Sequence, residues 1–460
     1  MAGRYQTYEK YKDSGVEYLG PVPENWRVFQ IKRSVEGCVN GTWGSEPLGS
    51  EQDTIVVRVA DFDRNKLSIK NEGYTRRFIE EKDKPRRSLQ AGDLLLEKSG
   101  GGEQTLVGQV VLFDKDFEAV TSNFVAKMTP LKGFSSRYLN YVFARFYSEK
   151  INYCSIKQNT GIQNLDSSQY LSEGFSFPSE TEQETIANFL DHETAKIDTL
   201  IDKQQQLIKL LKEKRQAVLS HAVTKGLNPD APMKDSGVEW LGEVPEHWDI
   251  SKFGYVSLVV RGGSPRPAGD PTLFNGDYSP WVTVAEITKD DEIYLTETET
   301  FLTKKGSDQC RVFSSGTLLI SNSGATLGVP KILSIDANAN DGVVGFELLS
   351  LNHEFAYFYL STLTDDLRER IKQGSGQPNL NTDIVKDIIV PIPPKNEIVE
   401  IVASIHKTRD IFKKLSGKAE KGIELLHERR TALISAAVTG KIDVRNWKPA
   451  QTKSPMESTA

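Results

Sequence analysis

A segment of fifteen residues near the start of this 460-residue chain occurs a second time in its middle. The first copy, KDSGVEYLGPVPENW, spans residues 12–26, and the second, KDSGVEWLGEVPEHW, spans residues 234–248. The copies differ at three positions, which is too close an agreement to arise by chance. A chain of this length already predicts several domains, and the repeat predicts two related halves.

A second repeated segment closes each half. EKRQAVLSHAVT at 213–224 matches ERRTALISAAVT at 428–439, and GIQNL at 161–165 matches GQPNL at 376–380. Pro178 and Pro393 correspond at the same offset. Between these matches, residues 27–155 and 249–370 share only scattered features, so each half is interpreted as a variable body on a constant frame.

The frame is predicted to contain two long helices. Thr181 to Lys225 has no proline and no glycine and is rich in good helix formers. Apolar residues in this segment and at corresponding positions of the second half follow the spacing of a coiled-coil seam: Leu190, Ile197, Leu200, Leu207, Leu211, Val218, Ile405, Phe412, Leu415, Leu426 and Leu433. Forty-five helical residues would extend about 68 Å. We expect this stripe to pack on the matching helix; the alternative is that each stripe packs on its own domain.

The second helix starts at the second body and must run back, which predicts an antiparallel pair related by a pseudo-two-fold axis. The predicted fold class is α+β, with two mixed α/β domains separated by a coiled-coil spacer. The predicted segments are a first domain at 1–180, a first helix at 181–226, a second domain at 227–395, a second helix at 396–441 and a polar, flexible tail at 442–460. Within the bodies, strands are predicted at 54–59, 93–96, 106–113, 281–287 and 317–321, and helices at 136–150 and 354–372.

Basic, amide and small residues cluster in predicted loops of both bodies. Arg, Asn and Gln are the side chains that read base edges through paired hydrogen bonds. The candidate DNA-binding residues are Arg76, Arg77, Arg86, Arg87, Lys98, Ser99, Gly100, Lys157, Gln158, Asn159, Arg261, Ser264, Arg266, Asn322, Ser323, Lys372, Gln373 and Ser375. The competing interpretations are solvated charged surfaces and, for the glycine-rich loops, tight turns between strands.

Composition and missing motifs narrow the function. The formal net charge is −6, so a basic surface over the whole chain is excluded. The three cysteines are far apart and are interpreted as reduced thiols, and we find no secretory signal or membrane-spanning run. The sequence has no HExxH pair, Walker loop, nucleophile elbow or Asn/Asp-Pro-Pro-aromatic tetrapeptide. Nothing therefore argues for catalysis or a bound metal.

The repeated opening segment, the GIQNL and GQPNL loops and the helix ends RQAVLSHAVT and RRTALISAAVT resemble the specificity subunit of type I restriction-modification systems. The resemblance covers the chain up to about Trp447. It implies that each body is a target-recognition domain that reads half of a bipartite DNA sequence, while the helix pair sets the gap between the halves.

The resemblance also implies the partners. The chain would be non-catalytic and cytoplasmic, would bind double-stranded DNA and would dock two adenine-N6 methyltransferase subunits, to which motor/nuclease subunits are added. It would bind no cofactor itself, although the complex would use S-adenosylmethionine, ATP and Mg²⁺. Since the net charge is acidic, we expect the partners to supply much of the phosphate contact. The alternatives are a structural scaffold and a nuclease with two fused domains.

Overall fold

The structure is a computed structural model that describes residues 5–49, 53–101, 105–159, 161–324, 326–372 and 379–449. Its contacts divide the chain into two units, each of which is described by itself. Unit 1 comprises Met1–Gln204 with Lys421–Ala460, and unit 2 comprises Gln205–Glu420. The division falls within the long helices rather than at their ends, so each unit holds a body, the beginning of one long helix and the end of the other.

The described residues of the first half form short strands, three short or medium α-helices and one long α-helix. The strands are β1 (Tyr11–Asp13), β2 (Pro21–Pro23), β3 (Arg27–Gln30), β4 (Val39–Asn40), β5 (Asp53–Val57), β6 (Phe62–Asp63), β7 (Ser68–Ile69), β8 (Thr75–Phe78), β9 (Leu94–Glu97), β10 (Ser99–Gly100), β11 (Val110–Leu112), β12 (Ala119–Thr121), β13 (Val125–Met128), β14 (Ile156–Asn159), β15 (Ile162–Leu165) and β16 (Gly174–Phe177). The helices are α1 (Lys84–Arg87), α2 (Ser136–Ser148), α3 (Ser167–Tyr170) and α4 (Glu180–Lys225).

The second half repeats this pattern. Its strands are β17 (Met233–Asp235), β18 (Glu243–Pro245), β19 (Asp249–Lys252), β20 (Leu258–Arg261), β21 (Phe274–Val282), β22 (Tyr294–Leu295), β23 (Phe301–Leu302), β24 (Val312–Phe313), β25 (Leu318–Ser321), β26 (Pro330–Leu333), β27 (Ala337–Ala339), β28 (Val343–Glu347) and β29 (Ile389–Ile392). Its helices are α5 (Phe253–Val256), α6 (Val284–Thr288), α7 (Lys304–Ser307), α8 (His353–Lys372), α9 (Thr382–Asp387) and α10 (Lys395–Val438).

The main sheets of the two bodies have the same strand order, apart from the additional edge strand β6 in unit 1, although their sequences differ. The main sheet of unit 1 runs β4-β13-β9-β11-β7-β6, and that of unit 2 runs β20-β28-β25-β26-β22. In both, three neighbouring strands are antiparallel, β13-β9-β11 in unit 1 and β28-β25-β26 in unit 2, and the next strand of the sheet is parallel to the third of them, β7 beside β11 and β22 beside β26. A parallel pair also recurs, β5 with β12 and β21 with β27. The bodies are thus two versions of one architecture.

The strand predicted at 281–287 is wrong in its second part. β21 ends at Val282 and residues Val284–Thr288 form α6. The carboxylate of Glu286 turns inward and accepts the backbone N–H of Glu299 at 2.7 Å. The strand predicted at 54–59 likewise ends at Val57, before a 3₁₀ turn at Val59–Asp61. The predicted strand at 106–113 is reduced to Val110–Leu112.

The repeated opening segment joins each body to a long helix. Trp26 and Trp248 are both fully buried. The indole N–H of Trp26 donates to Glu182 at 3.1 Å, and that of Trp248 donates to Glu397 at 2.9 Å. Both glutamates lie in the first turn of a long helix, where a negative charge also favours the helix dipole. These bonds explain why tryptophan recurs at the end of each opening segment.

The ends of the long helices pack against the same tryptophans. Gly440 follows α10 with a φ of +70°, and a Cβ on it would lie 2.4 Å from Pro23 and 3.3 Å from Trp26. Gly226 follows α4 with a φ of +76°, and its Cβ would lie 3.1 Å from Trp248. Left-handed backbone and close packing therefore both require glycine at these two helix ends.

In unit 1, the start of α4 and the end of α10 share one core with the body, and this core includes Ile186, Leu190, Leu433 and Val438. The two helices are antiparallel there, because Asp198 pairs with Arg430 while the earlier residue Phe189 meets Trp447. In unit 2, the end of α4 and the start of α10 share a core in the same way. The fold class of two mixed α/β domains with a long helix between them in the chain is confirmed.

The predicted register of the helix stripe is partly wrong. Leu200, Leu207, Val218 and Leu415 are 45%, 44%, 37% and 43% exposed and do not fill the seam. On α4 the residues turned away from solvent are spaced by three or four positions: Ile197, Ile201, Gln204, Ile208, Leu211, Arg215 and Leu219. Two features of the sequence hid the correct register. Neighbouring apolar residues such as Leu200 and Ile201 fit the spacing equally well, and the seam positions 204 and 215 are occupied by polar residues.

Candidate nucleic-acid interface

Four loops of unit 2 meet at one end of its main sheet, and we call residues 261–264, 321–324, 339–342 and 379–380 the unit 2 loop surface. Backbone hydrogen bonds hold the loops together. The N–H groups of Gly262, Gly263, Asn322 and Leu380 donate to the carbonyls of Val343, Ala339, Gly342 and Asn322, at 2.9, 2.9, 2.9 and 2.7 Å respectively. The loops are therefore fixed by main-chain bonds that do not depend on which side chains they carry.

Unit 1 has the same arrangement in residues 40–42, 98–101, 121–124 and 163–165, which we call the unit 1 loop surface. Here the N–H groups of Gly41, Thr42, Lys98 and Leu165 donate to the carbonyls of Val125, Thr121, Phe124 and Lys98, at 3.2, 2.8, 2.8 and 2.7 Å respectively. A fifth bond is also shared, from Ser122 to Val57 and from Asn340 to Val282, both at 2.9 Å. Five bonds at equivalent positions identify a duplicated loop skeleton.

One glycine in each skeleton is required by close backbone approach. A Cβ on Gly41 would lie 2.1 Å from the carbonyl oxygen of Thr121, and a Cβ on Gly262 would lie 2.3 Å from that of Asn340. No side chain fits at such distances. These glycines let the first loop lie directly on the third.

The unit 2 loop surface displays two opposite charges on rigid supports. The Nε of Arg261 donates to the carbonyl oxygen of Asp341 at 2.7 Å, and the Ser264 hydroxyl donates to the Asp341 carboxylate at 2.6 Å. The Ser264 hydrogen bond and the nearby cations of Arg261 and Arg266 hold the pKa of Asp341 below its usual value. Asp341 is thus a carboxylate that accepts hydrogen bonds at neutral pH.

Asn322 supports this surface from below. Its side chain is fully buried, and its amide donates to the carbonyl oxygen of Asp341 at 3.2 Å. Ser323, the next residue, is half-buried and forms a β-bridge with Asn379. Of the predicted contact residues in this loop, Asn322 cannot reach a ligand without rearrangement of the loop.

The unit 1 loop surface displays mostly neutral amides beside one lysine. The Nζ of Lys98 donates to the Asn40 side chain at 2.8 Å, and the Ser99 hydroxyl donates to that of Asn164 at 2.6 Å. Gly100 lies opposite Gln163 in the pairing of β10 with β15. Lys98, Ser99 and Gly100, all predicted from the sequence, therefore lie in this loop surface.

A salt bridge between the buried Glu97 and the partly exposed Arg64 lies next to the unit 1 loop surface. The guanidinium of Arg64 donates to both carboxylate oxygens of Glu97 at 2.9 Å. Burial raises the pKa of Glu97, and the Arg64 cation opposes that rise. Since Glu97 immediately precedes Lys98, the pair fixes the base of the second loop.

The other predicted residues of unit 1 lie around this surface or are used internally. Arg87 reaches it, since its Nε donates to the carbonyl oxygen of Asn40 at 3.2 Å. Arg77 pairs with Glu46 at 2.6 Å and stacks over Trp43, whereas Arg76 and Arg86 are exposed. Lys157 pairs with Asp166 at 2.8 Å, and Gln158 lies opposite Gln163 in the hairpin of β14 and β15.

The remaining predictions lie partly outside what the structure describes. Arg266 is exposed, with its backbone N–H bonded to Gln309 at 3.0 Å. The backbones of Asn159 and Lys372 are described, but their side chains are not. Gln373 and Ser375 lie outside the described residues.

The sequence did not single out several residues that the loop surfaces contain. They are Asn40, Gly41, Asn123, Asn164 and Asp341, all of which except Gly41 are exposed. The Asn40-Gly41 and Arg261-Gly262 pairs, 221 positions apart, were the available signal. These two pairs were missed because the sequences around them are otherwise unlike. Their equivalence is recognisable only from the structure, in which the third loops, at 121–124 and 339–342, pack on them.

Unit 2 also ties its body to both long helices through one acidic turn. Arg215 of α4 pairs with Asp291 at 3.5 Å, Arg409 of α10 donates to the Asp291 carbonyl at 3.0 Å, and Lys413 pairs with Glu292 at 3.1 Å. The body of unit 2 is thereby held to both helix segments of that unit.

Across the described ranges, no group of His, Cys, Asp or Glu is arranged to hold a metal ion. Cys38, Cys154 and Cys310 are free thiols. No helix in those ranges is both long and apolar enough to cross a membrane.

Comparisons with known proteins agree with this geometry. The family model described as the type I restriction modification DNA specificity domain matches residues 23–210 and 245–424. The type I restriction enzyme StySPI specificity subunit of Salmonella potsdam is 20% identical over 93% of this chain and 91% of its own length. The chain belongs to this specificity family, and its role is that of a specificity subunit rather than an enzyme.

Two solved structures share the fold. One, from work on complex assembly and conformational transition of the type I R-M system, has a TM-score of 0.68 at 15% identity and covers 91% of this chain and 98% of its own. The HsdS subunit from Thermoanaerobacter tengcongensis has a TM-score of 0.51 at 16% identity and covers 92% and 98%.

Proposed function

We propose that this chain gives a type I restriction-modification complex its DNA sequence specificity, with each loop surface reading one half of a bipartite target. The observation that carries the proposal is the duplicated loop skeleton. Five equivalent backbone bonds present different side chains, Asn40 against Arg261 and Asn123 against Asp341. A constant skeleton with variable polar side chains is what two readers of unlike sequences require.

Phosphate contacts would come from exposed basic residues around each surface, such as Arg86 and Arg266. Such contacts position a protein on DNA without reading sequence. With a net charge of −6, the chain alone supplies few of them overall. In this proposal the isolated chain binds DNA weakly, and its partners add much of the phosphate contact.

The long helices are proposed to set the distance between half-sites and to dock two adenine-N6 methyltransferase subunits. In unit 2, Leu207 and Leu210 of α4 and Ile411 and Leu415 of α10 are exposed. Exposed leucines along a helix favour contact with a partner's apolar helix face. The methyltransferases would supply S-adenosylmethionine chemistry, and motor/nuclease subunits would use ATP and Mg²⁺. The complex is proposed to act in the cytoplasm.

The docking proposal is tested by L207A combined with L415A in the full chain. Because both side chains are exposed, we expect the free energy of unfolding to change by less than about 0.5 kcal/mol each. Co-purification with the methyltransferase subunits should fall, whereas the exposed-charge control K209A should have no effect. Unchanged co-purification would contradict docking on this face.

The reading proposal is tested by replacing residues 249–370 with the corresponding body of another family member. The methylated adenines of a host that carries the complex are then mapped. We expect one half of the methylated motif to change and the other half to stay the same. A change in both halves would show that the two surfaces do not read independently.

A further inference from the structure

Arg261 presents a planar donor group that is already held in place. Its Nε is bonded to the carbonyl oxygen of Asp341 at 2.7 Å. Within the described residues, no acceptor is found for either of its Nη groups, and the side chain is exposed. An anchored guanidinium loses less freedom on binding than a free one, and its fork matches two acceptors at once.

Asp341 is anchored next to it and has the opposite hydrogen-bonding character. Ser264 donates to its carboxylate at 2.6 Å, and Asn322 donates to its carbonyl oxygen at 3.2 Å. An exposed carboxylate on a DNA-binding surface repels phosphates, so it is unfavourable there unless it meets a donor. In the major groove the donors are the amino groups of cytosine and adenine.

We propose that Arg261 and Asp341 together read one G·C base pair in the half-site bound by unit 2. Arg261 would donate two hydrogen bonds to O6 and N7 of the guanine, and Asp341 would accept one from N4 of the paired cytosine. This inference rests on the proposed DNA-reading function and assigns the chemistry of one of its surfaces.

Unit 1 provides a natural contrast at the equivalent positions. Arg261 corresponds to Asn40, and Asp341 corresponds to Asn123, so the pair of opposite charges is replaced by two amides. The Asn40 side-chain oxygen already accepts from Lys98 at 2.8 Å. The G·C reader is therefore a property of unit 2 alone.

The experiment uses the full chain assembled with its methyltransferase subunits in a host without other adenine methylation. Methylated adenines are mapped for the wild type and for R261A, R261K and D341N. R261K keeps the charge but loses the fork, so it separates base reading from a phosphate contact. R311A is the matched control, because Arg311 is also an exposed arginine of unit 2 but pairs with Glu347 at 2.7 Å.

We expect R261A and R261K to accept other base pairs at one G·C position, with discrimination there falling roughly 5- to 150-fold. D341N should relax the same position, and R311A should leave it unchanged. A motif retained by R261K, or relaxation of different positions by R261A and D341N, would overturn the assignment. If a variant gives no methylation, binding of the purified complex to duplexes differing at that pair makes the same comparison.

Failure of this inference is distinguishable from failure of the proposed function. Suppose that the wild type methylates a bipartite motif and that exchange of residues 249–370 changes one half of that motif. The proposed function then holds, whatever the Arg261 variants do. If no bipartite motif is found, both are wrong.

Discussion

The two loop surfaces have the same backbone and different chemistry. In unit 1 the second loop begins with the partly exposed Lys98, which bonds Asn40, whereas in unit 2 the equivalent Asn322 is buried beneath Asp341. The bonds that join the loops involve main-chain atoms in both units. Side chains can therefore change without loss of the surface, which separates the stability of the reader from the sequence that it reads.

The largest expected effect comes from breaking the skeleton itself. G262A places a methyl group 2.3 Å from the carbonyl oxygen of Asn340, so the first and third loops must separate. We expect destabilisation of about 3 kcal/mol in urea unfolding, with loss of recognition of one half-site. G41A should do the same to the other half-site.

The neighbouring residue provides the control. A Cβ on Gly263 would meet nothing within 4 Å, so G263A should unfold like the wild type. Equal destabilisation by G262A and G263A would mean that close approach is not the reason for the glycine.

A smaller effect is expected where the equivalent positions differ in burial. N322A removes a buried amide that supports Asp341 and should lower the free energy of unfolding by about 1–3 kcal/mol. K98A removes a partly exposed side chain and should lower it by less than about 1 kcal/mol. Urea unfolding of the full chain measures both. Similar losses of unfolding free energy in N322A and K98A would argue against a supporting role for Asn322 that Lys98 lacks.

The smallest effect concerns pH. Since the folded pKa of Asp341 is lowered by Ser264 and the nearby arginines, its ionised form stabilises the fold at any pH above the ordinary aspartate pKa of about 3.9. That contribution disappears only as the pH falls through the lowered folded pKa. The difference in unfolding free energy between D341N and the wild type should be constant from pH 6 to about pH 8 and should shrink in acid.

The equivalent residue of unit 1 is the control for this prediction. Asn123 does not titrate, so N123A should differ from the wild type by the same amount at every pH. A D341N difference that varied near neutral pH would contradict an Asp341 that is fully ionised there.

The frame could be predicted from the sequence because its causes are local or repeated. Helix-forming composition over residues 181–225 and the repeated tryptophan segments specify elements that the structure contains. The seam register was harder, because adjacent apolar residues such as Leu200 and Ile201 fit the spacing almost equally well.

The loop surfaces could be predicted only in part, because contacts distant in sequence create them. Gly41 meets Thr121, and Lys98 meets both Phe124 and Leu165. For the same reason a run of basic residues was a poor guide to DNA contacts. Arg77 lies in such a run, but it forms a salt bridge with Glu46, which comes from another loop. Asp341 was overlooked because an acidic residue does not suggest DNA binding until its neighbours are known.

The composition of unit 1 has a consequence for synthesis on the ribosome. Its core includes Leu433, Val438 and Val444, which are translated more than two hundred residues after its body. Unit 2 is continuous in the chain, from 205 to 420, so it can close while the end of α10 is still being made. Unit 1 therefore leaves the ribosome first but completes its core last. Until the end of α10 has been synthesised, the apolar residues of unit 1 that pack against it stay uncovered.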